Sequence, residues 1–174
     1  MEILVVPLLT LVVFLLLFVI LTFLLFAFDV FLELPYVATE RGKIETIIKL
    51  ASIKKNQTVV DLGSGDGRLL LAAAPKGARA IGYEVNPFLI AVTYIHAKIK
   101  GLSDQIEVKR QNLWKAELAV ADIIFVYGRK KNMERFEKFV FQNAKKGTRI
   151  VVNTNPFPNK KPQKSENGIF LYIS

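Results

Sequence analysis

Cysteine is absent from the 174 residues, and histidine occurs once, at His96. Without thiols there is no disulfide framework, no thiolate metal centre and no cysteine nucleophile, and a single imidazole cannot build a multi-histidine metal site. Basic residues are missing from the first 34 positions, which hold only the acids Glu2, Asp29 and Glu33. All 24 Lys and Arg therefore fall in residues 35–174 against 12 acids, a formal charge of +12. A field of that sign favours anionic lipid headgroups, nucleic acid or an acidic partner. Two glycine signatures are also lacking: the dinucleotide G-x-G-x-x-G and the phosphate loop G-x-x-x-x-G-K-[ST].

Charge is missing altogether from Ile3 to Phe28, a run of Leu, Val, Ile and Phe. It exceeds the roughly 20 residues a helix needs to cross a bilayer core. A cleaved signal peptide would need a basic start, a shorter apolar core and a small-residue cleavage site, and this segment offers none of them. The reading is one transmembrane helix in an anchor of residues 1–34, with Pro7 near its outer end, followed by a single domain over 35–174. The membrane bilayer is then a partner. Arg41, Lys43, Lys49, Lys54 and Lys55 all follow the apolar run, which predicts a single-pass protein with its domain on the cytoplasmic side. In a eukaryote the same logic points to an inner organelle membrane.

The domain is organised around residues 59–68, Val-Val-Asp-Leu-Gly-Ser-Gly-Asp-Gly-Arg. β-Branched Val59 and Val60 predict a strand, and Leu69–Ala74 predict a helix packing back on a sheet. Between them Gly63, Gly65 and Gly67 let a ligand approach the backbone, next to the free N–H groups of a helix start. The remaining chain continues the alternation. Glu40–Ile53 reads as an amphipathic helix that Thr39 could cap. Ala80–Glu84 is a strand with a carboxylate at its end, placed to accept ribose hydroxyls. Asn86-Pro87 starts a helix to Lys100, in which His96 is a packing or surface residue. Ile106–Arg110, Asp122–Gly128, Thr148–Asn153 and Ile169–Ile173 are further strands. Arg129 to Lys146 is a basic helix, either a solvated face or a lipid contact, and the Pro- and Lys-rich run before Ile169 is a mobile loop. Trp114 stacks on a ligand ring or fills the core. Tyr127, at the end of a strand, sits at the chemistry or on its rim.

The D-x-G-x-G-x-G loop at Asp61–Gly67 resembles the first motif of class I methyltransferases, which bind S-adenosyl-L-methionine. Pro35-Tyr36-Val37-Ala38-Thr39, Gly82-Tyr83-Glu84-Val85-Asn86-Pro87, Asn112-Leu113-Trp114-Lys115 and Pro156-Phe157-Pro158 extend the likeness from Pro35 to Tyr172. Together they resemble the membrane-anchored protein-lysine methyltransferases that modify the adenine nucleotide translocase and the c-subunit of ATP synthase. This sequence departs from that pattern with Asn112 in place of aspartate, Ala38 in place of proline, and Tyr127-Gly128-Arg129. The resemblance implies an α/β, Rossmann-like class I methyltransferase sheet with helices on both faces, preceded by one transmembrane helix. It implies cofactor contacts from Asp61, Gly63, Ser64, Gly65, Gly67, Glu84, Asn86, Asn112 and Leu113, and an acceptor channel lined by Tyr36, Thr39 and Tyr127. The expected acceptor is a lysine of a membrane protein. A membrane-soluble quinone or lipid, or a non-catalytic cofactor-binding module, remains an alternative. Nucleic acid is not an expected partner, since no basic and aromatic platform is present and no Asn-Pro-Pro-Tyr follows the fourth strand.

Overall fold

The computed structural model describes residues 2–31 and 39–174. Two compact units divide at residue 36. The first is helix α1 (Glu2–Phe31), whose apolar side chains from Val6 to Phe26 face outward almost throughout. Those 21 residues span about 31 Å, the thickness of a bilayer's hydrocarbon core. Thr10 and Thr22 each donate their hydroxyl to the carbonyl one turn back, at Val6 and Phe18, so the only polar side chains of that stretch are satisfied within the helix. Among the described residues α1 is the one helix long and apolar enough to cross a membrane.

The second unit alternates strands and helices: α2 (Arg41–Ala51), β1 (Thr58–Leu62), α3 (Arg68–Ala73), β2 (Arg79–Glu84), α4 (Pro87–Ile99), β3 (Ile106–Arg110), β4 (Ile123–Tyr127), α5 (Met133–Asn143), β5 (Arg149–Asn153), β6 (Lys164–Glu166) and β7 (Ile169–Ile173). The sheet order is β3-β2-β1-β4-β5-β7-β6. β1 to β5 run parallel, and β7 lies antiparallel between β5 and β6. Strand order reverses beside β1, which opens a crevice at the carboxyl ends of β1 and β4.

Parallel strands buried on both faces explain the near-continuous apolar runs of β1 and β4. On one face Val59, Ile123, Phe125, Val151 and Leu171 pack with Ile47, Leu50 and Ala51 of α2 and with Leu69 and Ala73 of α3. Further along that face Ala80, Ile106 and Val108 meet Leu70 of α3 and Ala97 of α4. The opposite face carries Val60, Leu62, Ile124, Val126, Ile150 and Tyr172, all buried. There the ring of Phe157 lies 4.8 Å from Tyr172 and 6.0 Å from Phe141 of α5. The expected α/β class, with helices on both faces, is the one observed.

Three local expectations change. Thr39 does not cap α2: Glu40 occupies the cap position without a side-chain bond, and Thr39 is buried elsewhere. The basic helix is shorter than 129–146, because Lys130–Asn132 forms a separate 3-10 turn before α5. The run expected to be a mobile loop is fastened instead. The Phe157 N–H donates to the Tyr172 hydroxyl at 3.0 Å, that of Asn159 to buried Glu137 at 2.9 Å, and residues 164–166 add an edge strand. Those partners lie 15 and 22 residues away in the chain, so local composition could not reveal them.

Candidate functional site

At the carboxyl end of β1 the chain turns through Gly63, Gly65 and Gly67, all with positive φ. The N–H groups of Gly63 and Ser64 both donate to the Tyr83 carbonyl, at 3.0 and 3.1 Å, folding the loop over the end of β2. Gly82 makes that crossing possible, since a Cβ there would stand 2.5 Å from the Ser64 hydroxyl. Gly67 has φ +76, and a Cβ on it would lie 2.3 Å from the Thr93 side chain. Thr93, fully buried in α4, reaches the Gly65 carbonyl at 3.2 Å and the Leu89 carbonyl at 3.0 Å. The loop is thus clamped between β2 and α4.

Two carboxylates border it. Glu84 is presented by backbone amides: Oε2 accepts from Gly65 at 2.9 Å, and Oε1 from Val85 at 2.8 Å and Asn86 at 2.9 Å. Asp61 is buried at the base of the loop, and among the described residues its carboxylate takes no hydrogen bond. Burial, then repulsion from Glu84 and Asp66, lifts its pKa from 3.8 to about 7. A buried acid in that state offers a seat for a cation, and an amide-held carboxylate has lone pairs left for a vicinal diol.

The other expected cofactor residues gather around the same loop in differing ways. Leu113 packs 3.6 Å from the Cβ direction of Gly63. Asn86 accepts from the Phe88 N–H at 2.9 Å and caps α4, so its side chain organises the strand-to-helix turn. Asn112 accepts from the Trp114 N–H at 3.0 Å, which leaves its oxygen one further lone pair. The Ser64 hydroxyl is buried beside Gly82 without a partner among the described residues, and the Ser64 backbone is spent within the turn, its N–H on the Tyr83 carbonyl and its own carbonyl accepting from the Gly67 N–H at 2.9 Å. Trp114 resolves toward packing: its ring lies 4.5 Å from Phe136 and 5.6 Å from Phe139, with the Arg135 guanidinium 4.0 Å above it.

On the acceptor side, Tyr36 lies outside the described residues. Tyr127 ends β4 in register with Asn153 at the end of β5, and the Asn153 amide donates to the Thr39 hydroxyl at 3.4 Å. Thr39 and Tyr127 therefore meet at the same end of the sheet. The Thr39 carbonyl also accepts from Arg68, whose guanidinium is gripped by Asp66 at 2.6 and 2.9 Å. Next to Asn153, Thr154 is held at φ +69, a conformation β-branched residues rarely adopt, with its hydroxyl donating to Asn153 Oδ1 at 2.9 Å. Thr93, Asn153 and Thr154 escape sequence reading. The only signals they leave are a polar residue on a buried helix face and an Asn-Thr-Asn-Pro run closing a strand.

Residues 61–164 match the family described as the ANTKMT methyltransferase domain. The chain is 31% identical over 129 residues to the human ATP synthase c-subunit lysine N-methyltransferase, covering 74% of this chain and 55% of that protein. It is 33% identical over 132 residues to the mouse adenine nucleotide translocase lysine N-methyltransferase, covering 75% and 57%. It thus spans little more than half the length of these curated relatives. Among solved structures, an RNA methyltransferase from Salinibacter ruber in complex with S-adenosyl-L-homocysteine superposes with a TM-score of 0.74 at 25% identity, covering 79% of this chain and 93% of that one. With more than half of its length inside the matched domain and the sheet order and glycine loop in place, this chain belongs to the ANTKMT methyltransferase-domain family.

Proposed function

We propose that the chain is a membrane-anchored methyltransferase that binds S-adenosyl-L-methionine and methylates a lysine side chain of a membrane protein. The observation that carries the reading is the pair of carboxylates at the glycine loop, Asp61 buried with no hydrogen bond among the described residues and Glu84 held by three amides. The cofactor has an ammonium and a ribose diol, so the residues present fit it: Asp61 would hold the ammonium, Glu84 the diol, Leu113 the adenine face and Asn112 its amine. When bound, the cofactor supplies an activated methyl group on a sulfonium.

What remains for the protein is to present a neutral amine. A free lysine with pKa near 10.4 is uncharged only about once in 2,500 at pH 7, a handicap of about 4.6 kcal/mol. Desolvation lowers a lysine pKa, and the acceptor side provides for it through the half-buried Tyr127 and the buried Thr39 and Asn153. Tyr36 would complete that channel. Tyr127, Thr39 and Asn153 would orient the neutral amine toward that methyl group, and the proton shed by the methylated amine would pass to solvent. Positioning carries the rate, since no nucleophile of the enzyme is needed. Helix α1 lies in the bilayer and the second unit on its cytoplasmic face, close to lysines near the membrane surface.

The test is methyl transfer by the full chain reconstituted in vesicles with labelled cofactor and a membrane-protein fraction. Label in protein, localised to lysine by mass spectrometry, supports the reading. Label in the organic extract points to a small membrane-soluble acceptor, and binding without transfer points to a non-catalytic module. The similarity to a solved RNA methyltransferase and the +12 charge favour one second reading, transfer to RNA. Label recovered in added RNA, with binding that weakens steeply with salt, would support that instead.

A further inference from the structure

Helix α4 leaves one face of the second unit uncovered. Its inner side is fixed by the fully buried Thr93 and Ala97, with Leu89 and Ile90 partly buried beside them. On the opposite side Phe88, Val92, Ile95 and Ile99 fall within about 60° of one another at 3.6 residues per turn. Phe88, Ile95 and Ile99 are 59%, 57% and 76% exposed. The stripe runs about 16 Å, from the first turn of the helix to the last. Isolated exposed apolar residues are ordinary, but an aligned row along a whole helix marks a contact surface. Lysines edge it, Lys98 on one side and Lys100 on the other with His96 next to it, all exposed, and α4 contains no acid.

We infer that this stripe of α4 rests in the headgroup region of an anionic bilayer. An apolar row bordered by lysines is the pattern of a helix lying in a membrane interface, where the row enters the acyl boundary and the cations meet lipid phosphates. The net +12 of residues 35–174 adds attraction of the same sign. The inference rests on α1 lying in that bilayer, because a tether makes a contact of only three or four side chains sufficient. The contact bears on the cofactor side directly. Asn86 caps α4 beside Glu84, and Thr93 on its inner face grips the glycine loop, so the helix that meets the lipid is the one that organises the loop.

The chain has no cysteine, so single-cysteine variants label uniquely. Full-length I95C, V12C and K164C would carry an environment-sensitive fluorophore and be reconstituted in phosphatidylcholine–phosphatidylglycerol vesicles containing nitroxide lipids. S-adenosyl-L-homocysteine binding reports that each folds, and F88C is the second probe of the stripe. Quenching at positions 12 and 95, at least about twice that at 164, is the expected result, with loss at 95 alone when phosphatidylglycerol is replaced by phosphatidylcholine. Position 95 behaving like 164 while 12 is quenched overturns the inference and leaves the anchor standing. No quenching at 12 overturns both. Energy transfer between labelled copies without lipid quenching at 95 assigns the face to a second copy and also overturns it.

Discussion

On the β1–β2 side of the sheet's carboxyl end, three backbone N–H groups converge on Glu84, and Thr93 ties the glycine loop to α4. On the β4–β5 side, Tyr127 and Asn153 sit in register, and the polar contacts run between side chains brought from far apart, as from Asn153 to Thr39. The first side is built from backbone amides of Gly65, Val85 and Asn86 that converge on one carboxylate. The second depends on the whole sheet being assembled and on a segment threaded in from before α2. Under the proposed function, a cofactor common to many enzymes suits the first construction, and an acceptor particular to one suits the second.

Substitutions should separate the two sides. Glu84→Ala removes the acceptor for two ribose hydroxyls and should weaken S-adenosyl-L-homocysteine binding about 100-fold by calorimetry, given roughly 1.5–3 kcal/mol for hydrogen bonds to a charged group. Wild-type affinity there would remove Glu84 from the site. Gly67→Ala combines a positive φ with a clash against Thr93 and should cost about 2–3 kcal/mol in denaturant unfolding. Gly101→Ala has a similar φ but open space around it, and about 1 kcal/mol is expected. Equal losses would mean that the clamp between loop and α4 contributes nothing. Asn153→Ala should lower turnover about tenfold while cofactor affinity stays within about twofold, the signature of a group felt only on the acceptor side. A matching loss of cofactor affinity would merge the two sides into one.

Legibility divides along the same line. Asp61, the three glycines and Glu84 lie within 24 consecutive residues, and glycine spacing and strand ends mark them, so the turn at the end of β1 and the two acids beside it could be read from the sequence alone. Thr39 and Tyr127 could be named from resemblance. Asn153, 114 residues from Thr39, could not, because nothing local announces a long-range pairing. Thr93 looks like one more helical residue until α4 is laid against the loop. Trp114 shows the reverse: its side chain suggests stacking on a ligand, whereas three aromatic and cationic neighbours from α5 claim it. The apolar residues of α4 are plain in the sequence, but which of its faces stays open is decided by the sheet.

The sharpest contrast within the cofactor side is between its two acids, and pH separates them. Raised to about 7, the Asp61 pKa favours the folded ligand-free state below the ordinary carboxylate pKa, and that contribution is lost as pH rises through about 7. An ammonium seated beside Asp61 reverses the preference by holding the carboxylate ionised, so binding must expel its proton. Calorimetry of S-adenosyl-L-homocysteine binding at pH 6, in buffers of different ionisation enthalpy, should show about 0.9 proton released per site, falling toward zero by pH 8.5, and the release should vanish in Asp61→Asn. Tight binding by the wild type with no proton released at pH 6 would contradict the placement of Asp61 and the account built on it.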